Sequence, residues 1–260
     1  MKKRVGFVQF DSGILQKRRN LENSFSLAEG LRADLIVFPE LFNSGYAFKN
    51  VAELASMAES VPEGETTQAL LGLSRRKHCC LVAGIAEKSA GKFYNSAAVV
   101  CDGEFLGVYR KTHLYGREKK FFSQGDTGFK VFNCRGMKIG VMICFDWFFP
   151  ESVRTLALAG ADVVAQPANL VLPYCPESLK TRCLENRVFA VMADVVGKQR
   201  GLEFQGLSEV VGPDGKVLRR ASASEPEAGA VQIDLAQARD KKLKDGNDVF
   251  ADRRPEFYHS

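Results

Sequence analysis

Short apolar runs and segments of helical period alternate along this chain. Residues 5–10, Val-Gly-Phe-Val-Gln-Phe, are rich in β-branched and aromatic side chains and predict a buried strand. Across 15–31, apolar residues recur near helical spacing at Leu21, Phe25, Leu27, Ala28 and Leu31. Leu-Ile-Val-Phe within 34–39 predicts a second buried strand. Residues 51–58 and 66–77 predict helices, the second with Thr66 and Thr67 as candidate N-caps. Residues 80–87, 94–101 and 104–109 predict strands, the last two joined by an Asp102-Gly103 hairpin turn. Cys79 and Cys80 are adjacent, so a strand there would send them to opposite faces.

The second half has the same texture. Residues 130–133 and 138–143 flank Arg135-Gly136, a hairpin signal. A helix is predicted over 150–159, a strand over 162–166, a helix over 176–187 and an apolar strand over 188–196. Residues 207–211 and 216–218 flank the turn Pro213-Asp214-Gly215, and 230–233 is the last clear strand. Beyond 240 the chain is charged and ends in aromatics. There is no repeat and no low-complexity linker. The hairpins exclude a purely parallel arrangement. The expected architecture is one α/β domain over 1–260 with mixed sheets covered by helices. Periodicity alone does not separate one sheet from two.

Composition adds exclusions. With 45% hydrophobic and 26% charged residues in 260, the chain is of ordinary globular make-up. A chain of this size buries about 70–75% of its unfolded surface, so it needs no disulfide or metal staple. The net charge is 36 − 31 = +5. The basic clusters at 2–4, 17–19, 110–111, 119–120, 219–220 and 241–244 are short and mostly interrupted, which speaks against a nucleic-acid face. The mild basic balance favours an anionic substrate; Arg182 and Arg187 are candidates to hold a carboxylate, although helix-face packing or salt bridging is the favoured reading of both. Seven cysteines, with no CxxC and no Cys/His spacing suited to zinc, suggest a reduced, cytoplasmic protein. The basic-then-apolar start is interrupted at Gln9, Asp11 and Ser12, too early for a signal peptide, and no apolar run is long enough to span a membrane.

Three segments carry candidate chemistry. Glu40 directly follows the strand Leu-Ile-Val-Phe-Pro, at the rim where α/β sites form; its ordinary alternative is a solvated loop acid. Lys111, in Tyr-Arg-Lys-Thr-His-Leu at 109–114, follows another strand, and Glu118 lies seven residues later; the alternative is a surface basic pair. Cys144 lies between a strand and a helix that begins near Pro150, an arrangement like a nucleophile elbow; the alternative is a buried structural thiol. A cysteine nucleophile needs a base. Of the histidines, His78 lies near a helix end and His259 in the tail, leaving His113 as the one near a motif. Glu40 serves instead if burial raises its pKa. A Cys144–His113 hydrolase and a non-catalytic scaffold remain as rival readings.

The ordered set Val-Phe-Pro-Glu (37–40), Tyr-Arg-Lys-Thr-His-Leu (109–114), Ile-Cys-Phe-Asp-Trp-Phe-Phe-Pro-Glu (143–151), Gln-Pro-Ala-Asn-Leu (166–170), Arg-Cys-Leu-Glu-Asn-Arg-Val (182–188) and Val-Gly-Pro-Asp-Gly-Lys-Val-Leu (211–218) resembles the nitrilase, or carbon–nitrogen hydrolase, superfamily over roughly residues 4–235. The resemblance implies an α-β-β-α sandwich of two mixed sheets with outer helices. It implies Glu40 as general base, Lys111 as oxyanion stabiliser, Cys144 as nucleophile, Glu118 as the supporting glutamate, and the Phe145 backbone N–H as an oxyanion donor. It implies an amidase-like thiol hydrolase needing no cofactor or metal, with N-carbamoyl and nitrile hydrolysis as alternatives. It also implies a homodimer or larger homo-oligomer, with a C-terminal tail from about 241, aromatic at Phe250, Phe257 and Tyr258, docking on its partner. Phe145, Gln166 and Asp194 stand where Tyr, His or Tyr, and Asn are common in the family.

Overall fold

Alternation by one residue builds this molecule. In the computed structural model, which describes residues 1–258, Leu35 and Val37 face one hydrophobic cluster while Ile36 faces another. Cys80 and Val82 join the first cluster, Cys79 and Leu81 the second. The first cluster fills the space between two sheets and continues under the helices outside one of them, and the second lies under helices on the outer face of the other. His259 and Ser260 lie outside the described residues.

The first half of the chain runs β1 (Lys2–Gln9), α1 (Lys17–Glu29), β2 (Leu35–Val37), α2 (Val51–Met57), α3 (Glu65–Lys77), β3 (Cys80–Ser89), β4 (Lys92–Cys101) and β5 (Glu104–Arg110). The second half runs β6 (Val131–Cys134), β7 (Met137–Val141), α4 (Pro150–Leu158), β8 (Val163–Pro167), α5 (Cys175–Asn186) and β9 (Phe189–Ala193). It continues through β10 (Lys198–Gln199), β11 (Leu202–Glu203), β12 (Glu209–Val211), β13 (Val217–Arg220), β14 (Glu227–Asp234) and α6 (Ala236–Arg239). One six-stranded sheet has the order β14-β1-β2-β3-β4-β5 and the other β13-β12-β9-β8-β7-β6. Each has three parallel strands at its centre, β1–β2–β3 and β9–β8–β7, with antiparallel strands at the flanks. This is the expected α-β-β-α sandwich, with two sheets rather than one.

Helices α1 and α3 cover the first sheet through Leu21, Phe25, Leu70 and Leu73. Helices α4 and α5 cover the second through Val153, Leu156 and Leu179. The three expected hairpins form, and a further one, β3–β4, turns at Ala90-Gly91, both with positive φ. Helix α3 begins one residue earlier than expected, with Gly64 as its N-cap. Thr66 is no cap; its hydroxyl donates to Glu59 inside the protein, at 2.7 Å. The strand expected to reach residue 143 stops at Val141, because a 3-10 helix over Cys144–Phe148 takes over the chain direction. Among the described residues no helix is long and apolar enough to cross a membrane.

Candidate active site

Three strand ends converge. Pro39 ends β2 and Glu40 follows it, fully buried. The Glu40 amide donates to the Ala168 carbonyl after β8 at 3.3 Å, and Asn169 Nδ2 returns a bond to the Glu40 carbonyl at 2.7 Å. Loops from the two sheets are thus laced together at the position of the carboxylate. Gly84 on β3 permits this approach: a Cβ there would lie inside the Glu40 backbone. Lys111 follows β5, its amide bonded to Asn95 and its carbonyl to Gly125. A Cβ at Gly125 would overlap the Arg110 carbonyl, so this strap also needs glycine.

The Lys111 ammonium lies 2.7 Å from Glu40 Oε1 and 2.8 and 2.9 Å from the two Glu118 oxygens. Asn95 Nδ2 donates to the same Glu40 oxygen at 2.6 Å. Glu40 Oε2 has no hydrogen-bond partner among the described residues. Glu118 lies in a 3-10 helix over Gly116–Lys120, where it accepts from the Tyr46 hydroxyl at 2.7 Å and the Tyr115 amide at 3.1 Å. All three charged groups are essentially dry, which makes their mutual arrangement far more consequential than at a surface.

Cys144 is held in a left-handed conformation with φ 40°, uncommon for a non-glycine residue and typical of constrained sites. The restraint comes from Asp146, two residues on and buried. Its Oδ2 accepts from the Ile143 amide at 2.8 Å and the Tyr109 hydroxyl at 2.7 Å; its Oδ1 accepts from the His113 amide at 3.1 Å and pairs with His113 Nδ1 at 2.8 Å. One carboxylate therefore ties the cysteine turn to the segment that carries Lys111. Gln166 Nε2 donates to the Cys144 carbonyl at 3.2 Å. The Cys144 thiol points toward the Asn169 carbonyl, 3.7 Å away. Phe145 is the second residue of its helix, so its N–H lacks an intrahelical acceptor and is open to another one.

Electrostatics follow from burial and neighbours. Burial pushes the Glu40 carboxyl up, Lys111 pulls it down and Glu118 pushes it up again, leaving it at about 7. Burial would lower the Lys111 ammonium, but Glu118 and Glu40 outweigh that and hold it above the ordinary lysine range. Burial, reinforced by Glu40, drives the Cys144 thiol well above its usual value, so the resting sulfur is protonated. Burial likewise holds the Asp194 carboxyl well above its range. Asp194 accepts from the Leu170 amide at 2.8 Å, a bond that an asparagine carbonyl at this position would also accept.

The structure brings Glu40, Lys111, Glu118 and the Cys144–Phe145 turn into one site. It does not place His113 as a base: the ring pairs with Asp146 and stacks on Phe149 with centroids 3.7 Å apart. Arg182 and Arg187 are also elsewhere. Arg182 binds the Trp147 carbonyl and Glu185, while Arg187 caps α5 and donates to the Asp240 and Pro213 carbonyls. Neither is free to hold a substrate carboxylate. Asn95, Tyr46 and Asp146 are the site residues the sequence reading missed. Asn95, with Ser96 beside it, interrupts the apolar residues of β4, which is the signal that could have found it. Beside Cys144 the wall is Tyr115, Phe145, Trp147, Leu170, Val171 and Leu172. A neighbouring cleft of about 260 Å³ reaches Glu118 and is lined by Tyr46, Phe48, Lys49, Arg117 and Arg200. The ammonium of Lys111 fills the space between the two carboxylates and leaves no cation site there. The side chains close enough to hold a metal, among the described residues, are Cys80, Cys101 and Cys134, at the other end of the sandwich.

Comparison with known proteins agrees with this geometry. The carbon–nitrogen hydrolase family model matches residues 4–242. A protein of Pyrococcus abyssi named nitrilase is 50% identical over 258 residues, 98% of each chain. The crystal structure of a carbon–nitrogen hydrolase from Helicobacter pylori G27 superposes with a TM-score of 0.89 at 25% identity, covering 99% of this chain and 97% of that one. A mutant amidase from Nesterenkonia sp. AN1, which carries the acetamide moiety of fluoroacetamide covalently on its active-site cysteine, superposes with a TM-score of 0.81 at 27% identity, covering 97% and 94%. The chain is a carbon–nitrogen hydrolase, a member of the nitrilase superfamily with its two-sheet sandwich.

Proposed function

We propose that this enzyme hydrolyses small non-peptide amides through a thioester on Cys144, releasing ammonia or an amine. The observation that carries the reading is the buried Glu40–Lys111–Glu118 arrangement beside a thiol held in a left-handed turn. The thiol is protonated at rest, so attack and proton transfer go together. As Sγ bonds the amide carbon, Glu40 Oε2, which no protein donor occupies, takes the S–H proton. The C=O electron pair moves to oxygen, which the Lys111 ammonium and the Phe145 N–H stabilise. One such donor contributes about 3 kcal/mol in comparable hydrolases.

Collapse of the tetrahedral adduct expels the nitrogen, which takes the proton from Glu40 and leaves as ammonia or amine. Glu40, again a carboxylate, removes a proton from water as the water attacks the thioester. The second adduct expels the thiolate, which is reprotonated by Glu40, and the carboxylic acid departs. Glu118 fixes Lys111 from the other side and, through Tyr46, fixes one wall of the approach. A carboxyl at about 7 is suited to both halves of this cycle, since it gives and takes a proton near neutral pH.

The aromatic and aliphatic wall beside Cys144 favours a short uncharged acyl group. An anionic substrate would need Lys49 or Arg117 in the adjoining cleft, since Arg200 there is paired with Glu53. Nitrile hydrolysis is the second reading, favoured by the name of the Pyrococcus abyssi relative; N-carbamoyl hydrolysis is the third, since the same set would serve it. Ammonia release from simple amides, ω-amides, N-carbamoyl amino acids and nitriles, with Cys144→Ala alongside, tests the three. Turnover of amides that vanishes in the variant is expected; turnover of nitriles or carbamoyl compounds alone would overturn the amide reading.

The whole chain, 1–260, works in this reading as one catalytic domain in the cytoplasm and as a homodimer or larger homo-oligomer. Exposed Phe148, Leu158, Tyr174 and Leu184, on or near α4 and α5, support the assembly. In the tail, Phe250 packs on its own chain beneath Arg154 and Lys241, whereas Phe257 and Tyr258, covered on one side by Arg254 and Arg253 of the same tail, keep exposed surface for a partner. Sedimentation of the full chain against a truncation after residue 240 checks both; a monomeric full chain would overturn the assembly.

A further inference from the structure

The end of the sandwich opposite Glu40 holds three thiols. Cys80 opens β3, Cys101 closes β4 directly across from it, and Cys134 closes β6 in the other sheet. All three are buried in the core between the sheets, and their sulfurs lie within 4.8 Å of one another. They are far apart in sequence, with separations of 21, 33 and 54 residues, so linear spacing gave no metal signal. Four residue steps along β3 lead from Cys80 to Gly84, against which Glu40 packs, a span of about 13 Å at the rise of a strand. The cluster is therefore distinct from the catalytic site.

Each sulfur touches both others, yet a sulfur makes one S–S bond, so pairing would always leave one thiol over. The backbone also suits a disulfide poorly. The Cα–Cα separation of Cys80 and Cys101 is 4.0 Å, below the usual disulfide range of about 4.4–6.8 Å. The two pairs that bridge the sheets stand at 7.0 and 6.8 Å, above and at its upper limit. Three donors aimed at one point, from backbones spaced this way, suit an ion placed between them.

We propose that Cys80, Cys101 and Cys134 form a three-thiolate site for a soft monovalent cation of the copper(I) class. Thiolates select soft ions. A structural zinc ion takes four ligands, and the nearest further donor, the Asp102 carboxylate 3.7 Å from Cys101 Sγ, is claimed by Arg135 at 2.9 and 3.0 Å. An iron–sulfur cluster also needs four cysteine ligands. Arg135 binds Asp102 and lies 3.6 Å from Asp34, so the acids near this end of the sandwich are already paired and not available as ligands. Binding forms three Cu–S bonds, releases three S–H protons to solvent and leaves every oxidation state unchanged. The ion would bridge the sheets, two ligands from one and one from the other.

The test is an anaerobic titration of the reduced, full-length Cys144→Ala protein with copper(I) against a chromogenic copper(I) chelator, followed by X-ray absorption. The Cys144→Ala background removes the catalytic thiol as a competing ligand. One equivalent bound per chain with three sulfur neighbours is expected, weakened at least tenfold by a further Cys134→Ser and unchanged by a further Cys183→Ala. Cys134 is the nearest of the three to solvent, so its serine variant is the one best placed to fold; circular dichroism checks that it does. No stoichiometric binding, fewer than three sulfurs, equal binding in Cys134→Ser, or zinc held as tightly as copper(I) would overturn the proposal. So would a cluster disulfide that persists in the folded protein under reductant.

Discussion

Cys144 and Cys183 are both dry thiols, and burial drives both well above the ordinary range. A lowered pKa therefore does not mark the nucleophile. The two differ in backbone and neighbours. Cys183 lies within the regular helix α5, packed among apolar side chains. Cys144 occupies a left-handed turn, with Glu40, Lys111 and Glu118 all acting on its charge. Cys175 is intermediate: it accepts a 3.4 Å contact from Gln166 Nε2, the same group that holds the Cys144 carbonyl, and Asp194 and Glu209 act on its charge, but no cation does. In the proposed mechanism Cys144 is set apart by the unpartnered Oε2 of Glu40, which takes its proton, and not by standing ionisation.

The contrast breaks most severely at the nucleophile. Cys144→Ala is expected to lower kcat by about 10⁴-fold or more, while Cys183→Ala leaves kcat unchanged; steady-state ammonia release measures both. Glu40→Gln removes the acceptor and leaves the thiol protonated, so kcat is expected to fall by about 10²–10⁴-fold. His113→Ala spares the base and should fall far less, the reverse of what a Cys–His hydrolase requires. Lys111→Met removes one oxyanion donor, with an expected loss of about 10²–10³-fold carried by kcat rather than KM.

Two smaller effects sharpen the comparison. Asp146→Asn is expected to cost about 10- to 100-fold, because it loosens the turn that aims Sγ rather than removing a reacting group. In the pH profile, the acting form of Glu40 is the carboxylate, and its pKa is raised. Activity should therefore rise with pH through about 7 and fall below it, as protonation removes the base. Glu209, buried on β12 beside Arg220 and also at about 7, is the control. A kcat/KM limb that persists in Glu209→Gln assigns the titration to the site; a limb that disappears there would contradict it.

The strands were legible because positions such as 35–37 and 80–82 face one core or the other at every residue, which makes each a short continuous apolar run that needs no long-range information. That there are two sheets came from the family resemblance and not from periodicity, since a pairing such as that of β1 with β14, more than 200 residues on, leaves no local trace. Glu40, Lys111 and Cys144 stood out because each follows a strand abruptly, in an order the family resemblance shares. Asp146 was hidden inside the cysteine motif, and its function as a four-way acceptor becomes visible only when Tyr109 and His113 arrive from another segment. For Arg182 and Arg187 the sequence shows a charge but not the carbonyls they bind, which give them the packing role on their helix rather than a substrate carboxylate. The thiol cluster needed three strands from two sheets to exist at all.

The most direct test of the account is to trap the acyl group. Wild-type enzyme mixed with a short aliphatic amide and quenched in acid during turnover should yield a peptide containing Cys144 heavier by the acyl mass, and Cys144→Ala should yield none. Acyl mass on Cys175, Cys183 or no cysteine, while ammonia is still released, would contradict it.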